Sequence, residues 1–179
     1  MLISKINKNE IKVAFLIIFL GGLGLRIFYF PYELPLIADG LDNFTYATAI
    51  NFHGHLPNEW APANIGWPIF LSFLFPLVNL DNSFEYMQFQ RILAIILSSL
   101  ITIPVFFLCK KFFNNKISLV GASLFSFEPR IILNSTLGIT EPLFILLGIT
   151  SLLLFLRYDQ KGIMIAFALA SFTTIVRSE

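Results

Sequence analysis

Charge is what this sequence has least of. Only 13 % of its 179 residues are Asp, Glu, Lys or Arg, against about 25 % in an ordinary soluble domain. A disordered chain combines high charge with low hydropathy. This one is 56 % hydrophobic with a mean hydropathy of +0.78, so that class is excluded and a water-soluble globule fits poorly. A single cysteine, Cys109, excludes a disulfide framework and a multi-cysteine zinc module. Two histidines, His53 and His55, are too few to claim a Ser/His/Asp arrangement, and as metal ligands they are weak evidence. The net charge of +1 gives no reason to invoke nucleic acid as a partner. No Gly-rich phosphate loop, internal repeat or low-complexity linker is present. What remains is a membrane protein, rich in phenylalanine with 21 copies.

A spanning helix needs about 20 mostly apolar residues. The candidates are residues 13–30, interrupted by Arg26; 92–109; 117–133, with Glu128, Pro129 and Arg130 near its end; 139–156; and 163–176. The run 65–80 is short and interrupted by Pro68 and Pro76, so it reads as an interfacial or re-entrant helix. Charge placement supports that reading. If 65–80 does not cross, Lys5, Lys8 and Lys12 share the cytoplasmic side with Lys110, Lys111, Lys116, Arg157 and Lys161. Glu33, Asp39, Asp42, Glu59, Asp81, Glu85 and Glu141 then lie outside. The expected architecture is an all-α, polytopic transmembrane bundle in the plasma membrane, N-terminus cytoplasmic, with a long outer loop over 31–90. The first span lacks a small-x-small cleavage site and reads as an uncleaved anchor rather than a signal peptide.

Loops this long are functional or disordered, and this one carries Phe44, Phe52, Trp60, Trp67 and several Tyr, which argues for a folded loop. A helix is expected from Asp42, as its N-cap, to Gly54. Ahead of it stands Asp39-Gly40-Leu41-Asp42. Two carboxylates three apart at a turn can share a metal ion or divide base and electrostatic roles. The alternative is a solvated turn. Glu141, in an otherwise apolar segment, is either a functional acid or a cap beside Pro142. Glu128 and Arg130 can pair with each other. Trp60 and Trp67 either stack on sugar or anchor at the interface. Asn43-Phe44-Thr45 and Asn134-Ser135-Thr136 are glycosylation sequons, and Gly21-Gly22-Leu23-Gly24 reads as close helix packing.

The order of features is informative: a first span with Arg26 near its outer end, the acidic motif, Tyr46-Ala47-Thr48-Ala49 closing on Gly54, and Gly66-Trp67-Pro68-Ile69-Phe70. There follow an Arg91-led span, a Lys-Lys-Phe-Phe turn, a span ending near Pro129, and Ser135-Thr136-Leu137-Gly138-Ile139-Thr140-Glu141-Pro142. This set resembles the N-terminal part of polytopic glycosyltransferases of the C superfamily, in the protein-mannosyltransferase and aminoarabinose-transferase-like group. The resemblance covers nearly the whole chain and rests on the order of motifs rather than on any single one.

The resemblance implies transfer of a sugar from a polyprenyl-phosphate (dolichyl-phosphate-like) donor to a protein or lipid acceptor on the outer face. By the family pattern Asp42 is the catalytic acid, with Asp39 second; Asn43 stands where many members have Glu. Glu141 matches a second acid at the outer start of a later span. A departing polyprenyl phosphate needs a cation opposite it, supplied by Arg91 and Arg130, by Arg26, or by a divalent metal ion. Snorkelling to the headgroups is the plainer role for Arg26 and Arg91. Family members have many more spans, so the chain is expected to be the N-terminal part of a larger enzyme. A non-catalytic membrane subunit and a transporter fragment are the competing classes.

Overall fold

The computed structural model describes residues 8–55, 64–157 and 159–177; Lys5, Glu59 and Trp60 lie outside them. The fold is all-helical, with no strand among the described residues. The helices are α1 (Lys8–Phe28), α2 (Ala38–His53), α3 (Gly66–Leu74), α4 (Ser83–Leu100), α5 (Thr102–Phe112), α6 (Asn115–Ser126), α7 (Pro129–Thr136), α8 (Glu141–Phe155) and α9 (Gln160–Val176).

Among the described residues two helices are long and apolar enough to cross a membrane: α1, and the α4–α5 rod, which runs 30 residues from Ser83 to Phe112. At 1.5 Å per residue that rod is about 45 Å long, more than a ~30 Å hydrocarbon core needs. Its irregularity at Ile101 follows from Pro104, which has no N–H to offer the Leu100 carbonyl. The start of α4 is fixed by Asn82, whose side chain accepts from Glu85 N at 3.0 Å, while the Glu85 carboxylate accepts in return from Asp81 N at 3.0 Å.

The apolar stretch 117–133 is two helices rather than one. Pro129 cannot continue α6, and Glu128 caps the new helix, accepting from Ile131 N at 2.6 Å. Glu128 therefore serves as a cap, and among the described residues it forms no ion pair with Arg130. The stretch 65–80 forms α3 and a 3-10 turn over Phe75–Leu77. Together they span about 18 Å, too short to cross.

The core cluster draws on α2, α3 with its 3-10 turn, α4, α8 and α9: Leu36, Phe44, Ala47, Trp67, Leu71, Phe75, Ala94, Leu143 and Val176 are buried together. Trp67 is fully buried and stacked on Phe70 at 5.6 Å, so it neither faces solvent for a sugar nor anchors at an interface. The outward faces are apolar too: Ile17 is 64 % exposed, Leu124 70 %, Met164 68 % and Phe167 62 %. Small residues set the helix spacings. A Cβ at Gly22 would run into Ser126, so α1 and α6 touch there, while Gly24 faces open space. Ser151 donates to Ala166 O at 2.7 Å and ties α8 to α9.

Basic residues collect at one end of this bundle. Lys8 and Lys12 share a groove with Lys110, which shares a second with Lys111 and Arg157. Lys111 Nζ also donates to Leu156 O at 3.3 Å.

Candidate functional site

Helix α2 begins five residues earlier than the capping argument expects. Ile37 is its N-cap, with no side-chain bond, and Ala38 adopts φ 47°. Asp42 is therefore inside the helix rather than at its cap. Asp39 lies in the first turn, and the two acids, three residues apart, occupy one helical face, both exposed. Asp39 lies at the N-terminal end of the helix, in its first turn. The C-terminus closes as expected, on Gly54 with φ 71°.

The reason for the early start is tertiary. A Cβ at Gly40 would overlap the Leu137 carbonyl oxygen. Gly40 thus serves close approach rather than a tight turn, and it seats the first turn of α2 on the connection between α7 and α8. Gly138 in that connection has φ 71°, the left-handed region that favours glycine.

Gln90 holds the two segments together. Its Nε2 donates to Gly138 O at 2.6 Å and to Gly40 O at 3.0 Å, and the residue is fully buried. Trp67 Nε1 donates to the same Gly138 carbonyl at 3.0 Å. The next residue, Arg91, extends the clamp. Its Nε donates to Thr136 O at 3.0 Å, Nη2 to Pro35 O at 2.8 Å, and Nη1 to Leu34 O and to Gln88 Oε1. The Gln90–Arg91 pair thus fastens four parts of the chain to α4: the 34–35 loop, Gly40, Thr136 and Gly138.

Glu141 opens α8 three residues after Gly138. Its Oε1 lies 3.2 Å from Arg177 Nη1, with side chains 26 % and 32 % exposed. Arg130 is exposed in the first turn of α7, about 9 Å before Thr136 along the axis. Of the three arginines expected opposite a phosphate, Arg130 is the accessible one, while Arg91 spends its donors mostly on backbone carbonyls. Arg26 is fully buried rather than snorkelling: it donates to Ser98 Oγ at 3.1 Å, to Gly22 O at 2.9 Å and to Ser126 O at 3.0 Å.

Asn43 of the first sequon is 6 % exposed and donates to Asp39 O at 2.7 Å, which leaves its amide inaccessible to a glycosylating enzyme. His53 and His55 have ring centroids 5.8 Å apart at the far end of α2, about 21 Å along the helix from Asp39. Among the described residues no group of three or more His, Cys, Asp or Glu is gathered for a metal ion. Asp39 and Asp42 alone are a two-carboxylate set, the kind that holds Mg²⁺ jointly with substrate phosphates rather than by a protein cage.

Gln90, the centre of the arrangement, belongs to no motif, although its neighbour Arg91 and its partner Gly138 both stand in the ordered set of features; the hint at Gln90 is a polar Gln-Arg pair entering an apolar run. No protein-family model, curated protein or solved structure matches this chain.

Proposed function

We propose that this chain is part of a multi-pass membrane glycosyltransferase that moves a sugar from a polyprenyl-phosphate carrier to a protein or lipid acceptor at the outer face. The observation that carries the reading is the Gln90 clamp. One amide nitrogen joins Gly40, between Asp39 and Asp42, to Gly138, just before Glu141. Acids 99 positions apart in the sequence (Asp42 and Glu141) thereby belong to adjoining segments at one end of the bundle.

The membrane part of the reading draws support from the exposed apolar faces and from the lysines gathered at one end. Contiguous apolar surface of that kind is rare on soluble monomers, and the basic end fits a cytoplasmic side with the N-terminus inside.

In this reading Asp42 accepts the proton of the acceptor hydroxyl or amide as it attacks the anomeric carbon. Asp39 lies beside it, one turn away on the same exposed helix face. Glu141, held by Arg177, is the second acid of the site. Arg130 faces the charge that develops on the departing phosphate. A divalent cation, where one takes part, would be held by Asp39 and Asp42 and would neutralise phosphate charge.

The test is transfer of a labelled sugar from polyprenyl-phosphate donors in membranes that contain the protein. Asp42→Asn should lower the rate by about 10²-fold or more while the protein still folds and inserts. A folded Asp42→Asn protein that transfers at the normal rate would remove Asp42 from the mechanism. Absence of transfer from every such donor would favour a non-catalytic membrane subunit or a transporter.

A further inference from the structure

The basic end of the bundle contains a groove that the transfer reaction does not use. It lies between the start of α1, the end of α5 and the start of α6, and has a volume of about 330 Å³. Its rim carries Lys8, Lys12 and Lys110, and its wall is made of Phe15, Phe106 and Phe107. Lys8 and Lys12 are one turn apart and share a helix face, whereas Glu10, two residues from each, points elsewhere. Phe15 and Phe106 pack at 4.9 Å, Phe106 and Phe107 at 5.5 Å, and Lys110 Nζ sits 6.0 Å from the Phe106 ring centre. Among the described residues none of the three ammonium groups is in an ion pair.

Three unneutralised cations above a wall of phenyl rings are complementary to one ligand chemistry: a phosphate-bearing headgroup with an apolar chain beneath it. Ammonium groups bind phosphate as point charges, and basic pockets at helix ends on the cytoplasmic side take anionic lipid headgroups. A free phosphate would gain nothing from the phenyl wall, whereas an acyl chain lies against it. We propose that this groove is a specific binding site for an anionic phospholipid, with the headgroup at Lys8, Lys12 and Lys110 and an acyl chain along Phe15, Phe106 and Phe107. The inference rests on the membrane reading above and is independent of glycosyl transfer.

The experiment is native mass spectrometry of the detergent-purified protein with phosphatidylglycerol or phosphatidylcholine of matched chains. The wild type should retain phosphatidylglycerol in preference. At about fivefold per lysine near the headgroup, the Lys8→Gln, Lys12→Gln, Lys110→Gln triple variant should lose at least ~10-fold of that preference. An equal-charge control, Lys116→Gln, Arg157→Gln, Lys161→Gln, should keep it, and Phe107→Ala should weaken retention with the lysines intact. Three results would each overturn the proposal: no preference in the wild type, equal loss in both triple variants, or displacement of the lipid by inorganic phosphate at matched concentration. Alkaline carbonate extraction separates the two layers of the argument. A protein that stays in the membrane yet shows no lipid preference defeats the groove alone, whereas one released by carbonate defeats the membrane reading.

Discussion

Gln90 Nε2 lies 2.6 Å from the carbonyl oxygen of Gly138, and this bond, between residues 48 positions apart, fixes where α8 begins relative to α2. The partner is a backbone atom in a buried turn, so no substitution at Gly138 can supply it in another way. Gln90→Leu keeps the bulk and removes the donor. It strips Gly40 O of its Gln90 contact and leaves Gly138 O with Trp67 alone. A typical intramolecular hydrogen bond contributes about 0.5–1.5 kcal/mol net, so losing both should lower the melting temperature in detergent. An unchanged melting temperature would show that the clamp is not needed to hold the turn.

Gly40→Ala tests the contact between the two acid-bearing segments. The added methyl meets the Leu137 carbonyl, so the first turn of α2 must move away from the α7–α8 connection. Transfer should fall by more than the loss of stability accounts for, since misplacement by about 1 Å can cost 10²-fold in rate. Gly148→Ala in α8 meets nothing within 4 Å and should be neutral or stabilising by roughly 0.5–1 kcal/mol. Similar losses of rate in both variants would mean that the approach at Gly40 has no special role.

These two residues also mark how far the sequence could be read. Apolar run length located α1, the α4–α5 rod, α8 and α9, because each buries or exposes a continuous hydrophobic surface. Gly54 closed α2 where its left-handed conformation required glycine. Asp42 misled at the other end: as an N-cap it satisfies local rules, but Gly40 packing on Leu137 drew the helix start back to Ala38. The Glu128-Pro129 break is visible in the residues, but the apolar run 117–133 continues past it and reads as one span. The partners of the clamp were not legible, since Gln90 and Arg91 bond mostly to carbonyls, and a carbonyl is the same in every residue.

Glu141→Gln separates chemistry from pairing. The ion pair with Arg177 is partly exposed, so its loss should change stability by no more than about 1 kcal/mol. If Glu141 acts on substrate, transfer falls by 10-fold or more while Arg177→Gln, which leaves the carboxylate in place, costs much less. Equal losses from the two variants would assign Glu141 to holding α8 and α9 together.

Arg26 carries the last prediction. Helix α6 ends at Ser126, and the final carbonyls of a helix have no partner within it. Ser126 is 1 % exposed, so water does not reach its carbonyl, and Arg26 Nη1 meets it at 3.0 Å. A cation there also complements the negative end of the α6 dipole. Arg26→Met should therefore destabilise the protein by about 1–3 kcal/mol through the orphaned carbonyl, although it removes a costly charge from an apolar setting. Arg26→Lys, with a cation and donors but no fork, should fall between Met and wild type. The order wild type, Lys, Met in melting temperature follows only if the carbonyl contact dominates. If desolvation of the charge dominates instead, Met will be the most stable of the three, and Arg26 would then be held in the bundle for a reason other than stability.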